Sequence, residues 1–236
     1  MLRDKFLRSR LMTVFRTVAI VSISSSALAL SLDDLSNKDA SAGLKAALDK
    51  ASMAAVGKLG AQDGFLHNDK VKIPLPARLE QARPLLKMTG HAQQLDELLV
   101  SMNRAAEAAV PLAKPLLLDA IKSMSITDAK NILTGGETSV TEFFKQKTAV
   151  PLGQKFLPLV KSVTDKAGLS AKYNSVMGQA QKFGAVSESE ATVEGYVSKR
   201  ALDGLYLVIA DEEKAIRQDP IGAGSKIIGK VFGLLK

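Results

Sequence analysis

Apolar residues recur every three to four positions through most of the chain, the period of helices that bury one side. Leu44, Leu48, Ala51, Ala55, Val56 and Leu59 form one such face. They predict a helix capped by Asp39 or Ser41 and stopped at Gly60 in the left-handed conformation that glycine adopts cheaply. Residues 61–76 break the period. Asp63-Gly64 and Asn68-Asp69 are turn signals, Val71-Lys72-Ile73 alternates like a strand, and Pro74 and Pro76 close the stretch. An extended loop or small hairpin is expected there.

The helical period resumes from Ala77, is interrupted by Pro84 and ends at Gly90. It then runs from Leu95 to Met124, with Pro111 and Pro115 forcing a break or kink near Val110–Lys114. Thr127 is placed to cap a short helix stopped by Gly135-Gly136. Ser139-Val-Thr-Glu142 has the spacing of a capping box. Pro151 starts or kinks the following stretch, which points Phe156, Leu157, Val160 and Val163 inward and ends at Gly168. A helix capped by Ser170 carries Tyr173, Val176, Met177 and Ala180. Between Ser189 and Gln218, Leu205-Tyr-Leu-Val-Ile-Ala210 is apolar all round, and the flanking residues keep the 3.6-residue period. Such a helix belongs at the centre of a bundle. After Gly224, Ser225 caps a last helix with Ile227, Ile228, Val231, Phe232 and Leu235 on one face. No fixed-period repeat or long low-complexity linker divides the chain. The pattern predicts an all-α, single-domain multi-helix bundle over residues 30–236.

Composition agrees: hydrophobic residues are 46% and aromatic residues 5% of 236, a core of small aliphatics. The absence of cysteine excludes thiolate nucleophiles and thiolate metal sites. The net charge of +8 is unevenly placed. Five basic residues up to Arg16, against Asp4 alone, put half of it in the first 29 residues. The rest is spread without a basic, aromatic-studded stripe, so nucleic acid is not an expected partner.

Those first residues have the order of a secretory signal. A basic stretch to Arg16 precedes the apolar run Thr17–Ile23, and Ala27-Leu-Ala29 offers an A-x-A-like cleavage site. The run is too short and serine-rich to cross a bilayer, which takes about 20 apolar residues. No cysteine follows it to carry a lipid anchor. Met12 is an alternative start. Cleavage after Ala29 and a periplasmic location are expected.

Chemistry is sparse. Asn103, Arg104 and Glu107 share a face of an alanine-rich helix, and Lys199 and Asp203 are an i, i+4 pair on another. Together they form either an interhelical network that fixes packing or a polar pocket between helices. The first is the more ordinary use of buried charges, which need partners for solvation alone. Asp211, Glu212 and Glu213 with Lys214 and Arg217 read as a solvated helix face. His67 and His91 are isolated, so no metal site is expected, and no catalytic set or cofactor motif emerges. Ile228, Val231 and Phe232 serve either docking onto the bundle or contact with a partner or membrane surface through residues 225–236.

Several stretches resemble the bacterial family known as domain of unknown function 4197: Ser101–Pro111, Asp128–Gly135, Lys199–Leu205, Ala210–Arg217 and Lys230–Gly233. The resemblance implies a helical exported protein of Gram-negative-type bacteria. It carries no assigned activity, so no catalytic residue transfers. The functional expectation is an exported, non-enzymatic binding or envelope-associated module. The alternatives are an acid/base hydrolase using Glu107 or Asp203, and a peripheral membrane protein held by the C-terminal helix.

Overall fold

The computed structural model describes residues 37–233 except 91, 137, 167–169 and 183–190. The expected leader, His91, Leu235 and the side chains of Val176 and Ala180 fall outside that description. The described residues form α1 (Asn37–Leu59), α2 (Ala77–Met88), α3 (Ala92–Ala109), a 3₁₀ turn (Val110–Leu112), α4 (Ala113–Lys122), α5 (Ile126–Thr134), α6 (Ser139–Thr164), α7 (Ser170–Lys182), α8 (Val193–Gln218) and α9 (Lys226–Gly233). No strand occurs among them. Of the extended loop or small hairpin expected over residues 61–76 the structure has the loop, a run of turns followed by an extended stretch up to α2.

α8 is the axis, packed by α6, α1, α3, α7 and α9. Val197, Ala201, Leu205 and Ile209 on it are fully buried. Tyr206 pins it to α6, its hydroxyl 2.9 Å from that of Thr148. Burial pushes the Tyr206 phenol up from its ordinary pKa. The helix is not enclosed on every side, however: Leu207 is 44% exposed. The start of α8 is fixed by two side chains. Thr192 Oγ1 accepts from the Gly195 amide at 3.0 Å, and Asn174 Oδ1 of α7 accepts from the Val193 amide at 2.8 Å.

The prolines divide the helices at one of the expected places and not at the others. α2 runs through Pro84, and α6 continues through both Pro151 and Pro158. The expected break at Val110–Lys114 is the 3₁₀ turn before α4. Pro111 also explains Gly60, which is not left-handed. A Cβ there would lie 2.9 Å from the Pro111 ring, so glycine permits a close approach. The short helix α5 begins two residues earlier than expected. Ser125 and Asp128 form its capping box, and the hydrogen bonds that the Ser125 amide and hydroxyl donate to the Asp128 carboxylate hold it below its usual range, with burial pulling the other way. Ser139 forms no such box; its hydroxyl donates to the carbonyls of Gly136 and Ile132.

α9 lies on α1. Gly43 makes this possible, since a Cβ at that position would collide with the Val231 side chain. Ile228, Val231 and Phe232 are 1%, 0% and 1% exposed. Burying three such side chains contributes roughly 5–9 kcal/mol before ordering entropy is subtracted. The expectation that they meet a membrane or partner is therefore corrected: their face is occupied by the protein's own core.

Candidate functional site

The α3 polar residues hold the 60–76 segment. Asn103 is wholly buried and acts as a strand would. Its Oδ1 accepts from the Ile73 amide at 2.9 Å, and its Nδ2 donates to the carbonyls of Ile73 and Leu99, each at 2.9 Å. One turn on, Glu107 Oε1 accepts from the amides of Phe65 and Leu66 at 3.0 and 3.1 Å. Arg104 donates to Glu107 Oε2 and, through its other terminal nitrogen, to Asp63, each at 2.7 Å. The hydrogen bonds that Arg104 donates to Glu107 and Asp63 raise its pKa, and the bond from Arg104 holds the Asp63 carboxyl below its usual range. Asp63 itself sits at φ +67°, the left-handed region that Asp tolerates better than most residues. The segment thereby presents Phe65, Val71 and Ile73 to the core. Phe65 and Val71 close on Gly204 of α8, where a Cβ would lie 3.0 and 3.2 Å from them.

Lys199 and Asp203 do not join this cluster. Asp203 faces α6, with Lys145 and Lys199 each 3.9 Å away, and all three are largely exposed. The five polar residues singled out in the sequence therefore divide between a buried clamp and a surface ion-pair group.

The surface group stands at one end of an open groove of about 880 Å³ between the first half of α6 and the second half of α8. Thr138, Thr141 and Lys145 form one wall. Asp203, Asp211, Lys214 and Gln218 follow the other, with Leu207 and Ala210 as an apolar floor. Asp211 is bridged to Lys70 at 2.7 Å. At the far end, Arg217 closes the groove against three neighbours. It donates to Glu213, reaches the Ile132 carbonyl of α5 at 3.2 Å, and lies 5.3 Å over the Phe232 ring of α9. Burial pushes the Glu213 carboxyl up, with Arg217 pulling the other way. The charge run around residue 213 is thus only partly a solvated face, because Glu213 is 6% exposed.

The chain matches a family model described as "Protein of unknown function (DUF4197)" over residues 34–233. The chain belongs to this family. No curated protein and no solved structure matches it. The DUF4197 match spans both the α3 clamp and the α6–α8 groove. Among the described residues of this DUF4197 protein, no group of three or more His, Asp or Glu side chains could hold a metal ion. His67 lies 3.1 Å from Asp63 at the outer edge of the clamp. Among the described residues no helix is long and apolar enough to cross a membrane.

The groove was missed in the sequence because Leu207 and Ala210 were assigned to a helix buried on every side. Their i, i+3 spacing, with Asp203, Asp211 and Lys214 on the same side, is the signal that marked an outward face.

Proposed function

We propose that this protein is an exported periplasmic module that binds rather than transforms, and that the α6–α8 groove takes an amphipathic segment of a protein partner. The carrying observation is the exposed Leu207 floor between rims bearing both signs of charge. From Asp203 to Gln218 the groove follows about 22 Å of helix. That length suits several turns of a partner helix laid along the seam. An open trough exposes too much of a small apolar ligand to hold it well. Paired rim charges set register and partner choice more than raw affinity.

The hydrolase reading is less well supported. Both oxygens of Glu107 are engaged by donors that fix the protein's own backbone, while Asp203 faces α6 among lysines. Export is supported by the leader pattern up to Ala29, and the family match begins after it, at residue 34.

Two measurements test the reading. The intact mass of protein purified from cells should place the N-terminus at Leu30, in a periplasmic fraction. In pull-downs from envelope extract, a protein retained by the wild type should be lost with Leu207→Arg and kept with Ile221→Arg, an exposed position outside the groove. A partner that survives Leu207→Arg refutes the groove as its site. A chain that keeps its leader and stays in the cytosol refutes export.

A further inference from the structure

Leu157 of α6 was expected to pack inward. It does not. Thr148, Leu152, Phe156 and Val160 face the core at 2% exposure or less. On the opposite side Val150 is 73% exposed and Leu157 44%. Pro151 and Pro158 stand beside them. Each pair is seven residues apart, so both repeat on nearly the same side of the helix. The result is an apolar ridge two turns long, at solvent.

The ridge has a one-sided charge environment. Lys147, Lys155 and Lys161 flank it. Lys161 is bridged to Asp165 at 2.8 Å. Lys147 and Lys155 have no ion-pair partner within 4 Å among the described residues, although the Lys147 charge reaches as far as Asp128 of α5. The groove, by contrast, carries both signs. Neither Val150 nor Leu157 lines the α6–α8 groove. The two prolines add a second feature. Each lacks the N–H that would satisfy the carbonyl four residues earlier, leaving those of Lys147 and Gln154 without a helical donor on this side. Such carbonyls need a wet environment, which the headgroup layer of a bilayer supplies and its hydrocarbon interior does not.

We infer that the Val150–Leu157 face of α6 is a docking surface for an anionic phospholipid bilayer. The helix lies flat, Val150 and Leu157 enter the headgroup boundary, and Lys147 and Lys155 meet lipid phosphates. Attachment is shallow and reversible, because only two large aliphatic side chains insert. Each lysine near an anionic surface strengthens binding on the order of fivefold. The inference is independent of what the α6–α8 groove binds.

The test is co-sedimentation of the protein, purified from cells with its N-terminus checked by mass, with two kinds of vesicle. One is pure phosphatidylcholine; the other is equimolar phosphatidylcholine and phosphatidylglycerol. Binding is expected only to the second, falling as salt is raised. Lys147→Gln/Lys155→Gln should weaken it on the order of 25-fold, and Val150→Ser/Leu157→Ser should also weaken it. All four positions are exposed, so melting temperatures should stay near that of the wild type. Lys199→Gln, an exposed lysine on α8, should bind as the wild type does. Equal binding to both vesicles, no binding to either, or undiminished binding by the Lys147→Gln/Lys155→Gln protein overturns the inference. If a variant melts early, the same comparison made with Lys155→Gln alone decides, with a loss on the order of fivefold expected.

Discussion

Glu107 offers the sharpest check on how the 60–76 segment is held. Its Oε1 accepts from two amides, those of Phe65 and Leu66, which are 0% and 9% exposed. Glu107→Ala removes the acceptor and leaves both donors buried. A buried donor without a partner costs about 1–3 kcal/mol. Arg104 keeps Asp63 and its contact with water, so it adds little. The expected loss is about 3–5 kcal/mol. For a domain of this size each kcal/mol moves the melting temperature by roughly 2–4 °C, so the midpoint should fall by roughly 10 °C. Glu107→Gln keeps a carbonyl oxygen for the two amides and loses only the charged bond to Arg104. It should cost about 1–2 kcal/mol. Urea unfolding followed by helical circular dichroism measures both, and hydrogen exchange at Phe65 and Leu66 should accelerate in the alanine variant. An alanine variant within about 1 kcal/mol of the wild type would refute the clamp. So would a glutamine variant as damaged as the alanine one, since the amides would then not be what the carboxylate serves.

Two further outcomes follow from single side chains. Asp63→Asn keeps a residue that tolerates φ +67° but loses the charge facing Arg104. The folded Asp63 pKa lies below the ordinary 3.8, so its contribution is present above 3.8 and is lost as pH falls through the lower folded value. The stability gap between wild type and variant should therefore close on acidification below 3.8; a gap independent of pH would contradict this. Gly43→Ala and Gly57→Ala, both in α1, should act with opposite signs. The first collides with Val231 and should destabilise by about 1–2 kcal/mol net of helix propensity, whereas the second meets nothing within 4 Å and should stabilise by about 0.5–1 kcal/mol. Thermal melts that move the same way for both would remove the tight α1–α9 contact from the account.

Much of the helical order was legible because the buried faces of α1, α3 and α8 repeat at the helical period over many turns. Errors arose where neighbours outvote local pattern. Val71 and Ile73 alternate and point inward as a strand would, yet the Ile73 backbone is met by the Asn103 amide, and the Val71 amide by the Asn68 carbonyl, rather than by a second strand. Residue spacing along α3 showed that Asn103, Arg104 and Glu107 share a side, but not that the chain thirty to forty residues earlier lies against it. Leu157 was grouped with the inward residues although it directly follows Phe156; neighbouring helical residues point about 100° apart, so with Phe156 and Val160 on the core side Leu157 is left at solvent. Leu207 was lost in a run of apolar letters that says nothing about which side lacks a neighbour. Gly60 was expected to stop α1 in the left-handed conformation; the helix does end at Leu59, but the glycine serves to admit a proline ring from across the fold.

The meeting of Gly43 with Val231, and of Asp39 with Lys230 at 2.8 Å, joins the earliest described helix to the latest. A segment made early thus acquires its cover only once residues 226–233 have followed it, so a chain cut anywhere between the two would leave that side of α1 bare.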